Sequence, residues 1–358
     1  GGSDHFCPRS TGLSVDDPKG EKPMRKRRRT AFILIVLLLA AVFVGALMYG
    51  SYSMTAGEVL KTLLGKGDGM QRIAVFDLRL PRAVTAVLVG AALAVSGCIL
   101  QSITKNELAE PGIIGINAGA ALAVVLLISV QSASYYTALG LGTVLLMPLA
   151  AAAGAFASFL CIYALAGEKG RLKPARLILA GIGVNTGITA LITLYQLNMS
   201  KGDYNQALSW IGGSLWGSSW TYAAITAPVI TVLIGIVFYK NRTLDVMDLG
   251  DELAAGLGVR VNRERKIFLV LAVCLAACAT SVAGNIAFAG LIGPHLAKRL
   301  AGPVHRRQIP AAACLSGILV LGADTLARNL FSPLEIPAGI MISLIGIPYF
   351  LYLLIKER

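Results

Sequence analysis

Long apolar runs separated by short charged segments dominate this chain. The runs lie near residues 31–50, 83–103, 112–130, 138–165, 176–197, 221–239, 267–285, 287–300, 309–328 and 338–355. A bilayer core of about 30 Å takes roughly 20 apolar residues per helix. The pattern therefore predicts an all-α polytopic membrane protein with about ten transmembrane helices. The eighth run is short and carries Gly290, Gly293 and Pro294, so a broken or tilted helix is expected there.

Composition points the same way. Apolar residues make up 56% of 358 residues, only 14% are charged, and mean hydropathy is +0.71. An ordinary soluble domain carries roughly 25% charged residues, and this chain cannot supply such a surface.

The net charge of +13 matters through its distribution. With the N-terminus inside, ten spans put the C-terminus inside too. The outer segments then hold Lys61, Lys66, Arg72, Arg79, Arg82, Lys201 and Arg328, and the other 25 of the 32 Lys and Arg fall on the cytoplasmic side. That asymmetry is the positive-inside bias. It sets the orientation and accounts for the basic balance without nucleic acid.

Residues 1–23 are polar and rich in Gly, Pro, Ser and Asp. They read as a disordered leader, with Gly-Gly-Ser a possible cloning remnant and Met24 resembling a natural start. Residues 24–358 read as one transmembrane domain. Arg25 to Arg29 precede an apolar run too long for a signal peptide, with no clean cleavage site, which favours a first spanning helix.

Inside the spans, Gly90, Gly97, Gly112, Gly115, Gly119, Gly181, Gly183 and Gly187 recur at three-, four- and seven-residue spacings. Such spacings let helix backbones approach closely in lipid. Five of the six cysteines lie in apolar runs and Cys7 lies in the leader. Cys274 and Cys278 are one helical turn apart, but no His or acid on that stretch completes a metal site.

Chemistry is sparse. The chain lacks a G-x-x-x-x-G-K-[ST] phosphate loop, an HExxH or CxxC metal motif and a serine in a nucleophile elbow. Catalysis by this chain alone is not expected, nor is a cofactor or metal of its own. Asp324 is the main ionisable group in a span, four residues before Arg328. An intramembrane carboxylate is a functional candidate, but a local i,i+4 pair with Arg328 is the favoured reading. A proton- or sodium-coupled carrier would need more buried acids.

The cytoplasmic segment 244–259 repeats Leu249, Leu253 and Leu257 every four residues, punctuated by Gly250, Gly256 and Gly258. Two short helices across the inner face are expected, with acids first and Arg260 and Arg263 beyond. A solvated cap and a docking surface for a soluble partner both fit this pattern.

Several blocks resemble the permease subunits of binding-protein-dependent ABC importers for iron siderophores, haem and cobalamin, the FecCD-type permeases. They are Leu78 to Arg82, Gly90 to Gln101, Asn106 to Ala120, Trp210 to Trp216, Leu249 to Gly258, Gly290 to His295, His305 to Arg307 and Gly322 to Arg328. Together they cover almost everything from Val59 to Leu354. Gly293 stands where many relatives carry a bulkier residue.

The resemblance implies ten helices per subunit and a second permease subunit, identical or paralogous, around one pore. It also implies two cytoplasmic ATPases carrying ATP and Mg, an extracytoplasmic substrate-binding protein, and location in the cytoplasmic membrane. It makes Leu249, Gly250, Glu252, Leu253, Gly256, Leu257 and Gly258 the segment coupled to the ATPase. It likewise makes Arg79, Arg82 and Arg328 receptors for acidic residues of the binding protein, for which the planar guanidinium suits a carboxylate.

Gln101, Asn117, Asn185, Gln196 and Asn285 are candidates for the translocation path, though each could equally bond a neighbouring helix. His295 reads as a structural hydrogen-bonding residue rather than a metal ligand, and Trp210, Trp216 and Trp220 as interfacial anchors. The implied cargo is a ferric siderophore, with Asp203 to Gln206 leading into Trp210 closest to the hydroxamate branch. Haem and cobalamin are the alternatives, and a stand-alone secondary carrier or a membrane scaffold are the competing classes.

Overall fold

The computed structural model describes residues 18–50, 52–130, 141–168, 171–172, 174–330 and 335–356. Helix α1 (Pro18–Met48) leads to two short helices, α2 (Ala56–Leu63) and α3 (Gly69–Arg72). A π-helical stretch (Ile73–Arg79) then runs directly into α4 (Leu80–Thr104), and a 3-10 turn (Pro111–Ile114) precedes α5 (Ile116–Val130) and α6 (Leu141–Ala166). Two-residue strands β1 (Gly167–Glu168) and β2 (Arg171–Leu172) pair antiparallel before α7 (Pro174–Leu197), α8 (Lys201–Ile211) and α9 (Trp220–Tyr239).

The expected short helices follow as α10 (Asn241–Asp248) and α11 (Asp251–Gly256). The chain ends with α12 (Val261–Ala283), α13 (Ala289–Ala301), α14 (His305–Leu330) and α15 (Ala338–Lys356).

Among the described residues, seven helices are long and apolar enough to cross a membrane, and Ile116–Val130 and Ala338–Leu353 are shorter apolar helices. Burial separates an inner set from an outer one. The most apolar windows of Gly69–Thr104, Val261–Ala283 and His305–Leu330 are 78%, 67% and 50% buried, against 17% for those of α1, α7 and α9. Helix α4 is thus the axis, packed along α12, α13 and α14. The outer helices present exposed Leu and Ile, the surface that lipid or a second transmembrane subunit covers.

Close approach at the axis depends on missing side chains. A Cβ on Gly97 would lie 1.8 Å from the Gly290 carbonyl oxygen, so α4 and α13 meet backbone to backbone there. Two hydroxyls bond across the same core: Ser96 donates to the Ala272 carbonyl and Ser316 to the Ala289 carbonyl, both at 2.7 Å. Gly183 and Gly187, also expected in helix packing, face open space within this chain.

The structure corrects three expectations about length. The run at 112–130 is not one helix, because the 3-10 turn and Gly115 at φ 71° delay α5 until Ile116. The run at 287–300 becomes α13, whose 13 residues span only about 20 Å at 1.5 Å per residue. Its start, at the left-handed Phe288 (φ 62°), therefore lies within the bundle. Residues 1–17 of the expected leader lie outside the described residues, but α1 begins at Pro18, so 18–23 are helical. Helices α2, α3 and α8 lie in polar connecting segments that hydropathy leaves unassigned.

Candidate functional site: a polar cavity, an exposed leucine ridge and a cluster of arginines

A cavity of about 660 Å³ opens between α5, α7 and α8, with the α12–α13 loop at its floor. Asn117, Asn185, Gln196 and Asn285 all line it, so four of the five expected path residues converge. Gln101 does not line it; it sits near the end of α4, where its carbonyl accepts from the Lys105 and Asn106 N–H groups.

The amides are oriented by partners. Asn117 Nδ2 donates to Asn285 Oδ1 at 2.6 Å, and the Thr280 hydroxyl donates to Asn117 Oδ1 at 3.0 Å. The α7 wall adds Thr186, Thr189 and Thr193, the latter two donating back to carbonyls four residues earlier. The surface is mostly neutral, made of amides and hydroxyls over an apolar ground.

Glu110 also lines this cavity, a carboxylate the sequence reading did not single out. It accepts the Phe288 N–H at 2.9 Å, which ties the loop before α5 to the strained start of α13. Its position in the polar stretch Asn106 to Pro111 hides it from any hydropathy criterion.

Elsewhere in the fold, α10 and α11 turn Leu244, Met247 and Ala254 into the bundle and leave Leu249, Leu253 and Leu257 58%, 62% and 64% exposed. The break between the two helices is Gly250 at φ 109°, a conformation side chains rarely adopt. Glu252 and Gly258 are exposed, and Gly256 has open space around it.

Ion pairs fasten this ridge to the bundle. Arg265 on α12 grips both Asp251 oxygens at 2.7 and 2.9 Å, Lys240 pairs with Glu264 at 2.7 Å, and Lys105 donates to the Met247 carbonyl. Asp245 accepts from His305 at the start of α14. Burial pushes the Asp245 carboxyl up, but the His305 ring and backbone N–H together outweigh it and hold it below its ordinary value.

The three expected docking arginines all bond within the chain. Arg79 is buried, donating to the Leu47 carbonyl at 2.6 Å, the Met48 carbonyl at 3.2 Å and the Tyr52 carbonyl. Arg328 donates to the Ala46 carbonyl. Asp324 hydrogen-bonds not to Arg328 but to Arg82, with Nε and Nη2 each 2.9 Å from an oxygen; Arg82 Nη1 reaches Glu335 at 3.1 Å. The i,i+4 expectation fails because Arg328 turns toward α1 while Arg82 on α4 faces α14.

His295 is buried, edge-on to Tyr349 with ring centroids 5.9 Å apart and its Nδ1 3.7 Å from Glu107. Trp216 is 75% exposed, and Trp220 donates to the Phe76 carbonyl at 2.7 Å. Among the described residues no group of three or more His, Cys, Asp or Glu is placed to hold a metal.

The helical bundle thus carries a polar cavity and an exposed leucine ridge. The model of the FecCD transport family matches residues 36–356, from within α1 to the end of α15. The chain belongs to the FecCD transport family.

It is 48% identical over 322 residues to the iron(3+)-hydroxamate import system permease protein FhuG of Bacillus subtilis (strain 168), covering 90% of this chain and 95% of that protein. It is 39% identical over 331 residues to the iron-uptake system permease protein FeuC of the same organism, covering 91% and 97%. A solved structure described as an inward-facing conformation of a metal-chelate type ABC transporter superposes with a TM-score of 0.79. That pair is 28% identical and covers 92% of this chain and 99% of the other.

As a FecCD-family member the chain is a multi-pass membrane permease subunit, not an enzyme.

Proposed function

We propose that this chain is one of two permease subunits around a single pore that imports a ferric hydroxamate siderophore across the cytoplasmic membrane. ATP and Mg are bound and ATP is hydrolysed on two separate cytoplasmic ATPase subunits, and an extracytoplasmic binding protein delivers the cargo. The observation that carries the reading is the exposed leucine ridge of α10 and α11 on a chain without a phosphate loop. Three large apolar side chains in water are unfavourable unless a partner covers them.

In this reading Leu249, Gly250, Glu252, Leu253, Gly256, Leu257 and Gly258 seat on the ATPase. Ten membrane passes, some made by short helices, leave both termini inside. Arg328 faces the binding protein at the outer end, with Arg82 held beside it by Asp324 and Glu335 and Arg79 beneath as support for the α1–α2 turn. Asn117, Asn185, Gln196 and Asn285 form the path for a chelate whose iron stays sealed, since neutral amides and hydroxyls can bond a chelate's rim without competing for its metal. The hydroxamate class is supported by the 48% identity to an iron(3+)-hydroxamate permease.

The test is uptake of radiolabelled iron in cells lacking this permease, with and without the chain restored. Ferric hydroxamates, ferric catecholates and haem are supplied in parallel. Restored uptake of hydroxamates alone is expected, and rescue by catecholates or haem instead would overturn the substrate assignment.

A further inference from the structure

A second cavity, of about 450 Å³, lies far from the polar path, where α1, α9 and α14 meet. Arg28 and Arg29 of α1 form one wall, and Arg306 and Arg307 of α14 form another. Phe32 and Phe238 supply aromatic surface between them, and among the described residues no acidic side chain lines the cavity. Among the described residues none of the four guanidiniums is paired with a carboxylate. Asp245, the carboxylate at the start of α14, is engaged by His305 instead. Arg28 lies against Gly302, where a Cβ would stand 3.0 Å from its Cζ, so its head is held at the cavity.

Four like charges in one concave site repel one another unless an anion joins them. The apolar run of α1 begins at Ala31, which puts these arginines at the boundary between water and hydrocarbon. One turn further in, Phe32 faces the cavity, and Val36, the next residue along that face of the helix, is 41% exposed. A phosphate group among the arginines would thus have an apolar track leading from it into the bilayer.

We propose that this cavity binds the headgroup of an anionic phospholipid, its phosphodiester held by Arg28, Arg29, Arg306 and Arg307 and its acyl chains lying past Phe32 and Phe238. Basic pockets between transmembrane helices on the cytoplasmic side recognise such headgroups. The lipid clamps α1 to α14, the outer helix to the inner set. A free phosphate shares the anionic chemistry but leaves the aromatic wall uncovered.

The test is thermal unfolding of the full-length chain in neutral detergent, titrated with phosphatidylglycerol or with phosphatidylcholine of identical acyl chains. Phosphatidylglycerol should raise the midpoint and phosphatidylcholine should not. Arg306→Gln/Arg307→Gln should weaken the apparent affinity about thirtyfold, from roughly fivefold for each arginine near the surface. The Lys pair should retain most of it, and Arg260→Gln/Arg263→Gln, outside the cavity, should leave it unchanged.

Equal effects of the two lipids would overturn the proposal, as would an equal loss in the Arg260/Arg263 pair. If inorganic phosphate alone gives the full stabilisation, the site takes a free anion and the lipid assignment fails. Should the α14 pair not fold, Arg28→Gln/Arg29→Gln on the opposite wall carries the same test.

Discussion

Asp245 accepts both the backbone N–H and the ring Nδ1–H of His305, at 2.8 and 2.7 Å. A carboxylate acceptor places the proton on Nδ1, and the Ser102 hydroxyl lies 2.7 Å from the same ring's Nε2. One imidazole therefore joins α10 to α14 and α4. Helix α10 leads into the leucine ridge that the proposed function seats on an ATPase, and in that reading displacement of the ridge would enter the bundle here, through elements that move as rigid units.

Asp245→Ala should remove that joint and leave two His305 donors unmet, at a cost of about 1–3 kcal/mol. Uptake should fall while the protein still reaches the membrane. Asp245→Asn keeps an acceptor oxygen and should recover most of the thermal stability. Wild-type uptake in the Ala variant would show that force enters the bundle elsewhere.

Leu253→Asp separates partner contact from folding. Leu253 faces away from the bundle while Ala254 beside it is fully buried, so the isolated permease should lose less than about 0.5 kcal/mol of stability. Assembly with the ATPase, followed by co-purification, should be weakened and uptake lost. Unchanged co-purification with full uptake would remove this ridge from the interface.

Arg82 and Asp324 form a buried pair, with side-chain exposures of 12% and 2%. Removing one member leaves an uncompensated charge, so Asp324→Ala should destabilise by about 3–5 kcal/mol. The double variant Arg82→Met/Asp324→Leu should regain most of this, because apolar replacement of a buried pair is often neutral. Thermal unfolding of Arg82→Met, Asp324→Leu and the double closes the cycle. Additive losses would show that the two residues act independently.

That pair marks what a sequence read alone can and cannot deliver. Apolar runs announce the spans because the bilayer imposes a length, and the glycine-punctuated repeat of Leu249, Leu253 and Leu257 announces short helices, though not which side of them is exposed. Both are local rules. Asp324 has an arginine four residues away in sequence, and its true partner lies 242 residues away, so a local rule chooses wrongly. Glu110 and the left-handed Phe288 meet only when α5 and α13 are packed. Asn117, Asn185, Gln196 and Asn285 converge on one cavity because polar groups in apolar runs must face a cavity or a partner, whereas Gln101, near a helix end, had other options.

Acid should weaken the contacts of Glu107 and Asp245. Glu107 is held below its ordinary value of 4.5, chiefly by its hydrogen bond from Lys298 at 2.5 Å, and Asp245 below its ordinary 3.8. Depressed carboxyls bind fewer protons in the folded state than in the unfolded one. Their contribution is therefore fully present above those ordinary values and is lost as pH falls through the folded ones. In detergent, the unfolding midpoint of the wild type should drop between about pH 5 and pH 3. Glu107→Gln/Asp245→Asn should start lower at neutral pH and drop less over that interval. Parallel curves for the two proteins would show that other carboxyls govern acid lability.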